Sequence, residues 1–352
     1  MDNIFLYCIP VPTSLVVMKK NIFQIEAGSD VPKYKQLIQS VCYAIENNQL
    51  ELGDKIPSIN IICKEFSLSR DTVLTAFNEL RTRGIIASTP GKGYYVNSTQ
   101  IDREQKIFLL FDELNAFKEK LYNAFTEAVE DRASVDTYFH YFNKRVFKNL
   151  ILENLNKYTT YVIMPVFFED IYPIVSQIEQ ANVYLLDQLN PELGPYYPAV
   201  YQNFQKDVYQ ALESGVNLLK QYDTLIMVYP GGKEPRGMLE GFRNFCLHYK
   251  FHHQVIHELK GKEVKKGELY IVPNDLDLVT LVKESRRKQL TLGRDLGIIS
   301  YNDTPLKEVV ADGITTISTD FDTMGKNLAR MVLNNQNKHI ENPASLIIRK
   351  SI

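Results

Sequence analysis

Residues 53–93 read GDKIPSINIICKEFSLSRDTVLTAFNELRTRGIIASTPGKG, and this stretch decides the fold of the amino-terminal part of the chain. Pro57-Ser58 predicts the start of a short helix carrying Ile59, Ile61 and Ile62. A third helix is expected to begin at Ser69, whose hydroxyl can accept from free first-turn amides, with Asp71 favourable in that positive first turn. The tight turn Phe66-Ser67-Leu68 separates the two. The later helix turns Val73, Ala76, Phe77 and Leu80 inward, ends at Arg83-Gly84, and leads into two short strands joined through Pro90-Gly91-Lys92-Gly93. Upstream, Tyr34, Leu37, Ile38, Val41 and Ile45 fall at helical spacing and form one apolar stripe. Three helices followed by a hairpin spell a helix-turn-helix with a wing.

Such a fold reads DNA by placing short polar or cationic side chains into the major groove near the start of the last helix. Ser69, Arg70, Asp71, Thr72 and Thr75 supply that set. In the wing, Gly91 and Gly93 let backbone amides approach phosphates, while Lys92 brings a charge beside them. Residues 33–97 carry eight cations against six anions, a net of +2, so the rest of the chain carries −4 of the formal −2. The asymmetry has the sign that DNA contact needs, though a solvated helix face and a tight turn would use the same residue types singly.

Taken in order, Gly53 to Ser58, Ser69 to Val73, Leu80 to Ile85 and Gly91 to Gly93 resemble the winged-helix domain of GntR-type bacterial transcription regulators over about 65 residues. The resemblance implies operator contacts by Lys33, Ser58, Ser69, Arg70, Thr72, Thr75, Gly91, Lys92 and Gly93. It departs at Asn60, where the family commonly has a phosphate-binding arginine. Asn60 can still donate to a phosphate, but without the charge.

The polar stretch 97–106, NSTQIDREQK, ends this texture. After it come alternating apolar strands and amphipathic helices: IFLLF with a helix over 113–129, YVIMPV with a helix over 171–180, VYLLD, TLIMVY with a helix through Phe245, ELYIVP with a helix to Gln289, GIISYN, and TTIST with a helix through Leu333. The alternation predicts doubly wound parallel sheets, and its length predicts two lobes with a cleft between them. The boundaries expected are an extension at 1–30, a winged helix-turn-helix at 31–98, a linker at 99–106 and a two-lobed domain at 107–352.

Five segments of this second part resemble the periplasmic-binding-protein-like (type I) sensor of LacI-type repressors: FDELNAFKEKLYNAFTEAVED, PRGMLEGFRNF, IVPNDLDLV, GIISYNDTPL and TTISTDFDTMGKNLARMVL. A GntR-type reader on a LacI-type sensor is the arrangement of arabinose-type repressors. The resemblance implies a homodimer that binds a palindromic operator and a monosaccharide held in the cleft, with no membrane partner and no cofactor. A sugar site needs planar hydrogen-bonding groups at strand ends and aromatic faces for the C–H side of the ring. Position by position, the implied contacts are Asp187, Asn274, Asp275 and Asn302 at strand ends, with Asn115 and Phe117 at the first turn. The family's arginine before Leu-x-Gly-Phe is replaced by Met238, so Arg236 is the substitute expected. Thr319 stands where a longer polar residue is common. Met238 and Thr319 together imply a less polar wall, suited to a pentose or 6-deoxyhexose such as arabinose or fucose. Local structure offers another use for two of these residues, since Asp275 can cap the helix after it and Asn302 can hold a turn.

The rest of the sequence narrows the classes. Of 352 residues, 45% are hydrophobic and 23% charged, and the near-balance of 40 basic with 42 acidic residues excludes a basic architectural protein that coats DNA. Cys8, Cys42, Cys63 and Cys246 lack zinc or disulfide spacing, which fits a reducing cytoplasm. MDNIFLYCIPVPTSLVV lacks the basic start of a signal peptide, no run reaches the length of a bilayer span, and Met18-Lys19-Lys20 would be a natural start, so residues 1–17 are expected to be disordered or absent from the native protein. HHQVIHEL reads as a strand rather than a helical metal pair, and Gly231-Gly232-Lys233 reads as a turn because it lacks the spacing of a phosphate loop. The alternatives kept open are a non-sugar or phosphorylated effector and an enzyme-like second domain of the aminotransferase kind, for which no convincing cofactor-binding lysine is found.

Overall fold

The computed structural model describes residues 22–26, 28, 29, 31–99, 105–165 and 168–352. The expectation about residues 1–17 and most of the expected linker lie outside them. The chain forms two compact units: the described residues up to Gln105 with Asn156–Thr159, and Lys106–Leu155 with Thr160–Ile352.

In the first unit α1 (Lys33–Glu46) buries Tyr34, Leu37, Ile38, Val41, Ala44 and Ile45, the stripe its spacing predicted. α2 (Ile59–Phe66) starts at Ser58, whose hydroxyl accepts from the Ile61 amide, and stops where Ser67 takes a left-handed conformation. α3 (Arg70–Thr82) starts at Ser69, whose Oγ accepts from the Thr72 amide at 3.1 Å, and buries Val73, Ala76, Phe77 and Leu80. The wing strands are β2 (Ile86–Thr89) and β3 (Gly93–Val96), and they are joined by a third strand the sequence did not announce, β1 (Lys55–Ile56). The order is β1-β3-β2, all antiparallel. Phe77 and Tyr94, with ring centroids 4.7 Å apart, fix α3 against the wing.

The second unit holds two six-stranded sheets. The first runs β14-β8-β7-β6-β4-β5, with β4 Gln105–Phe111, β5 Ala133–Phe139, β6 Thr160–Ile163, β7 Val183–Asp187, β8 Ala199–Tyr201 and β14 His339–Glu341. The second runs β10-β9-β11-β12-β13-β15, with β9 Thr224–Val228, β10 His253–Ile256, β11 Glu268–Val272, β12 Leu296–Tyr301, β13 Thr315–Thr319 and β15 Ala344–Ile347. Its pairs are parallel except β13 with β15.

Helices cover each sheet, and two come from the far side of a crossover. α12 (Phe321–Leu333) follows a strand of the second sheet yet packs on α4 (Ala116–Val129), in one core with Leu109, Phe111 and Val162. α7 (Phe204–Ser214), with the one-turn α8 (Val216–Leu219) after it, follows a strand of the first sheet yet shares a core with α9 (Arg236–Tyr249). The chain therefore passes three times between the lobes, after β8, β13 and β14, and the crossings are laced together. The Asn342 side chain donates to the Asp320 carbonyl at 2.8 Å and to Thr319 Oγ1 at 3.2 Å, while its amide donates to the Tyr201 carbonyl at 2.8 Å.

The unit β5 with α5 (Lys144–Glu153), and the unit β8 with α7, were missed in the sequence. The helix expected over 171–180 is only one turn, α6 (Tyr172–Val175).

Candidate functional site

The cleft lies where strand ends of both lobes face each other, at the carboxyl ends of β4, β5, β7 and β8 on one side and β9, β11 and β12 on the other. Parallel strands place their following loops, and the first turns of the next helices, at one edge, which is where such sheets bind ligands. It encloses about 300 Å³, a volume suited to a small molecule.

Asn115, Phe117, Asp187, Asn274, Asp275 and Asn302 all line this cleft, as the sequence placed them. Their roles differ. Asn115 caps α4, its Oδ1 accepting from the Lys118 amide at 3.1 Å. Asn274 caps α10 (Asp275–Arg287), accepting from the Asp277 amide at 2.8 Å and donating to Asp277 Oδ2 at 2.7 Å. The helix-capping role weighed for Asp275 therefore falls to its neighbour. Asp275 pairs with Lys307 at 3.1 Å. Phe117 stacks on Phe321, with centroids 5.0 Å apart.

Asp187 is buried in a left-handed conformation with φ 72°, and Gln202 Nε2 donates to its Oδ1 at 2.5 Å. Burial pushes this carboxyl upward, opposed by the nearby Lys118 ammonium. Asn302 is also left-handed, with φ 59°, and its Oδ1 has no hydrogen-bond partner among the described residues.

Two expectations fail. Arg236 does not line the cleft; its side chain is 85% exposed and pairs with Glu240 at 2.9 Å. The reason is helical geometry. Met238 faces the cleft, and a residue two positions earlier on the same helix points to nearly the opposite side. Thr319 is buried in the hinge, where its hydroxyl donates to the Pro343 carbonyl at 3.1 Å and accepts from Asn342. Met238 is therefore an apolar part of the cleft wall, and Thr319 is not part of that wall.

Sequence reasoning missed the ionic part of the cleft. Lys118 and Asp112 form a buried ion pair on its first-lobe side. Lys233 lies 3.2 Å from Glu113 Oε1 and 5.5 Å from the Phe142 ring centroid, so a side chain from the second lobe reaches two residues of the first. It follows Gly231 and Gly232, both with positive φ, 76° and 78°, so the motif read as a plain turn brings an ammonium to the cleft. Lys307 is buried and donates to the carbonyls of Tyr301 and Asn302 at 2.8 and 2.7 Å. Burial lowers its pKa, and the Asp275 carboxylate opposes that shift. None of these lysines stands in a pattern that distinguishes it from a solvated one.

In the first unit, Arg70 donates from its guanidinium to Asn60 Oδ1 at 2.8 Å, joining the two helices of the helix-turn-helix. Ser69 and Thr72 hydroxyls lie 2.8 Å apart, and the Thr75 hydroxyl donates to the Asp71 carbonyl at 2.9 Å. Arg70, Lys92, Ser58 and Asn60 are exposed. The wing turn is closed by the Lys92 amide on the Thr89 carbonyl at 3.0 Å, with Gly91 and Gly93 at φ 71° and 108°. Those angles suit glycine. Lys33 opens α1 and contacts the Glu26 carbonyl.

Residues 33–96 match the family described as bacterial regulatory proteins of the gntR family, and residues 220–352 match the periplasmic binding protein-like domain. The uncharacterized HTH-type transcriptional regulator YdfD of Bacillus subtilis is 41% identical over 66 residues, 19% of this chain and 14% of the relative. The arabinose metabolism transcriptional repressor of Geobacillus stearothermophilus is 37% identical over 67 residues, 19% of this chain and 18% of the relative. The first curated relatives are thus matched over less than a third of their length. Among solved structures, the dimeric Lac repressor superposes with a TM-score of 0.58 at 15% identity, covering 70% of this chain and 98% of that one. The chain joins a GntR-type helix-turn-helix domain to a periplasmic-binding-protein-like domain. No described helix is long and apolar enough to cross a membrane.

Proposed function

We propose that this chain, a GntR-type DNA reader joined to a two-lobed binding domain, is a transcriptional repressor of sugar-utilisation genes whose operator affinity is set by a small molecule in the cleft. The observation that carries this reading is the cleft itself. Five of its lining residues carry a side-chain atom, Gln188 Oε1, Gln202 Oε1, Glu234 Oε2, Asn302 Oδ1 and the Tyr301 hydroxyl, that is buried without a hydrogen-bond partner among the described residues. Buried polar atoms left unpaired cost about 1–3 kcal/mol each, so side-chain turning and lobe closure around a ligand that supplies partners would be favourable here. The hydroxyls of a sugar do so, and Phe117, Phe142 and Phe204 offer apolar faces to its C–H side.

On the DNA side, Arg70, Thr72 and Thr75 enter the major groove from the start of α3. Ser58 and Asn60 at the start of α2, Lys33 at the start of α1, and Gly91, Lys92 and Gly93 in the wing contact backbone. The working form is a homodimer on a palindromic operator, a reading supported by the similarity to the dimeric Lac repressor over 70% of this chain. Closure of the lobes on sugar and binding of operator are then two ligations of one protein, each altering the affinity of the other by the same factor.

The effector is a monosaccharide of pentose or deoxyhexose type, for which the apolar Met238 in the cleft wall is the supporting feature. The test is thermal unfolding of the full chain against arabinose, fucose, ribose, xylose and glucose. A ligand at 100 times its Kd adds about 2.7 kcal/mol and raises Tm. A protein that responds to none of these sugars is not a sensor of this kind.

A further inference from the structure

The cleft's excess of carboxyl groups and its orphaned acceptor atoms point the same way, and they say which form of ligand enters. Its described lining contains five carboxyl groups, on Asp112, Glu113, Asp187, Glu234 and Asp275, against three lysines and no arginine. Each lysine already holds a carboxylate: Lys118 with Asp112, Lys233 with Glu113, and Lys307 with Asp275. Asp187 and Glu234 remain without a lysine ion pair. Of the five orphaned atoms, four are acceptors and the fifth is a phenol.

Helix N-termini are the feature that would favour an anion here, since five helices begin at this edge. Each start has already given up one amide donor. Asn115, Asn203 and Asn274 each accept from one first-turn amide of α4, α7 and α10, while Pro235 precedes α9 and Pro305 opens α11 (Pro305–Val309), removing an amide at each start. Phosphate and carboxylate groups are recognised by free guanidinium, ammonium or amide donors, and the cleft wall presents acceptors instead.

We infer that the cleft selects an uncharged, donor-rich polyol and rejects its phosphate ester or its sugar acid, so that the effector is the unmodified sugar and the regulator reports on sugar before phosphorylation or oxidation. A phosphate dianion brings only acceptors to four protein acceptors, and displacing a lysine to meet it strands a carboxylate. This rests on the reading of the cleft as a sugar site and adds the charge state.

The test is calorimetric titration of the full chain with matched pairs: ribose with ribose 5-phosphate, arabinose with arabinose 5-phosphate, glucose with glucose 6-phosphate and with gluconate. At least one uncharged member is expected to bind, with its charged partner at least about tenfold weaker. Binding of any phosphorylated or acid form as tightly as its neutral partner overturns the charge inference while leaving the sugar reading in place. Binding of no member of any pair overturns both. Glu234→Gln, which keeps the side-chain shape, supplies a second arm: the preference for the neutral partner should narrow severalfold, and an unchanged ratio would show that the cleft's charge does not discriminate.

Discussion

Asn60 Oδ1 accepts a hydrogen bond from the Arg70 guanidinium at 2.8 Å, so the second residue of α2 aims the first residue of α3. Asn60 is thus an acceptor that holds the neighbouring arginine in position, while its amide nitrogen is the group that would donate to phosphate in the proposed complex.

That pair predicts unequal effects. Arg70→Ala should weaken binding to a selected operator by roughly 1–3 kcal/mol. Asn60→Ala removes no charge, so it should cost less and leave the dependence of affinity on salt unchanged. Asn60→Arg adds a cation and should steepen that dependence by about one counterion. Fluorescence anisotropy across a salt series reads all three.

Across the cleft mouth, Lys233 contacts Glu113 and Phe142 of the other lobe. Lys233→Ala should speed release of bound sugar severalfold, measured by stopped-flow, while sugar-free operator affinity stays near that of the parent. Slowed release would mean that the lysine obstructs closure.

Asp207 predicts a pH dependence of stability. It is buried on α7 with Oδ2 unpaired, and burial, then the Glu341 carboxylate, push its carboxyl up to about 7, with Lys206 opposing. An unfolded aspartate titrates near 3.9, so the native state holds a proton that the unfolded state has released between about pH 4 and 7. This contribution is fully present below about pH 4 and is lost as pH rises to about 7. Asp207→Asn should flatten the profile over that window and be more stable than the parent at pH 8, on the order of a few kcal/mol, measured by urea melts.

Gly325 on α12 sits where a Cβ would come 2.6 Å from the Leu121 carbonyl and 2.9 Å from Ala124 Cβ. Gly325→Ala should force α12 and α4 apart and cost about 1–3 kcal/mol, visible as a lowered Tm. An unchanged Tm would mean that this contact is slack.

How much of this was legible follows from which signals are local. Ser58 and Ser69 announce their helices because capping is decided within three residues, and the stripe of α1 because amphipathic period is. β1 is two residues long and becomes a strand only by pairing with β3. β5 was missed because this edge strand is mostly half-buried and interrupted by polar residues, and β8 because three residues carry no period. In the cleft, strand-end positions such as Asp187 and Asn302 were readable. Gln202 and Lys118 were not, since their orphaned or ion-paired state depends on partners far off in sequence or on burial. Arg236 failed because proximity in sequence to Met238 places it on the other side of the helix.

The central claim, that one protein couples a sugar in this cleft to DNA on this winged helix, is tested most directly by reciprocal titration. An operator selected from a random pool by the full chain is titrated with and without the sugar that raises Tm, and the sugar is titrated with and without that operator. The account predicts that each ligand changes the other's Kd by the same factor, about fivefold or more. Sugar that binds while leaving operator affinity unchanged would contradict it.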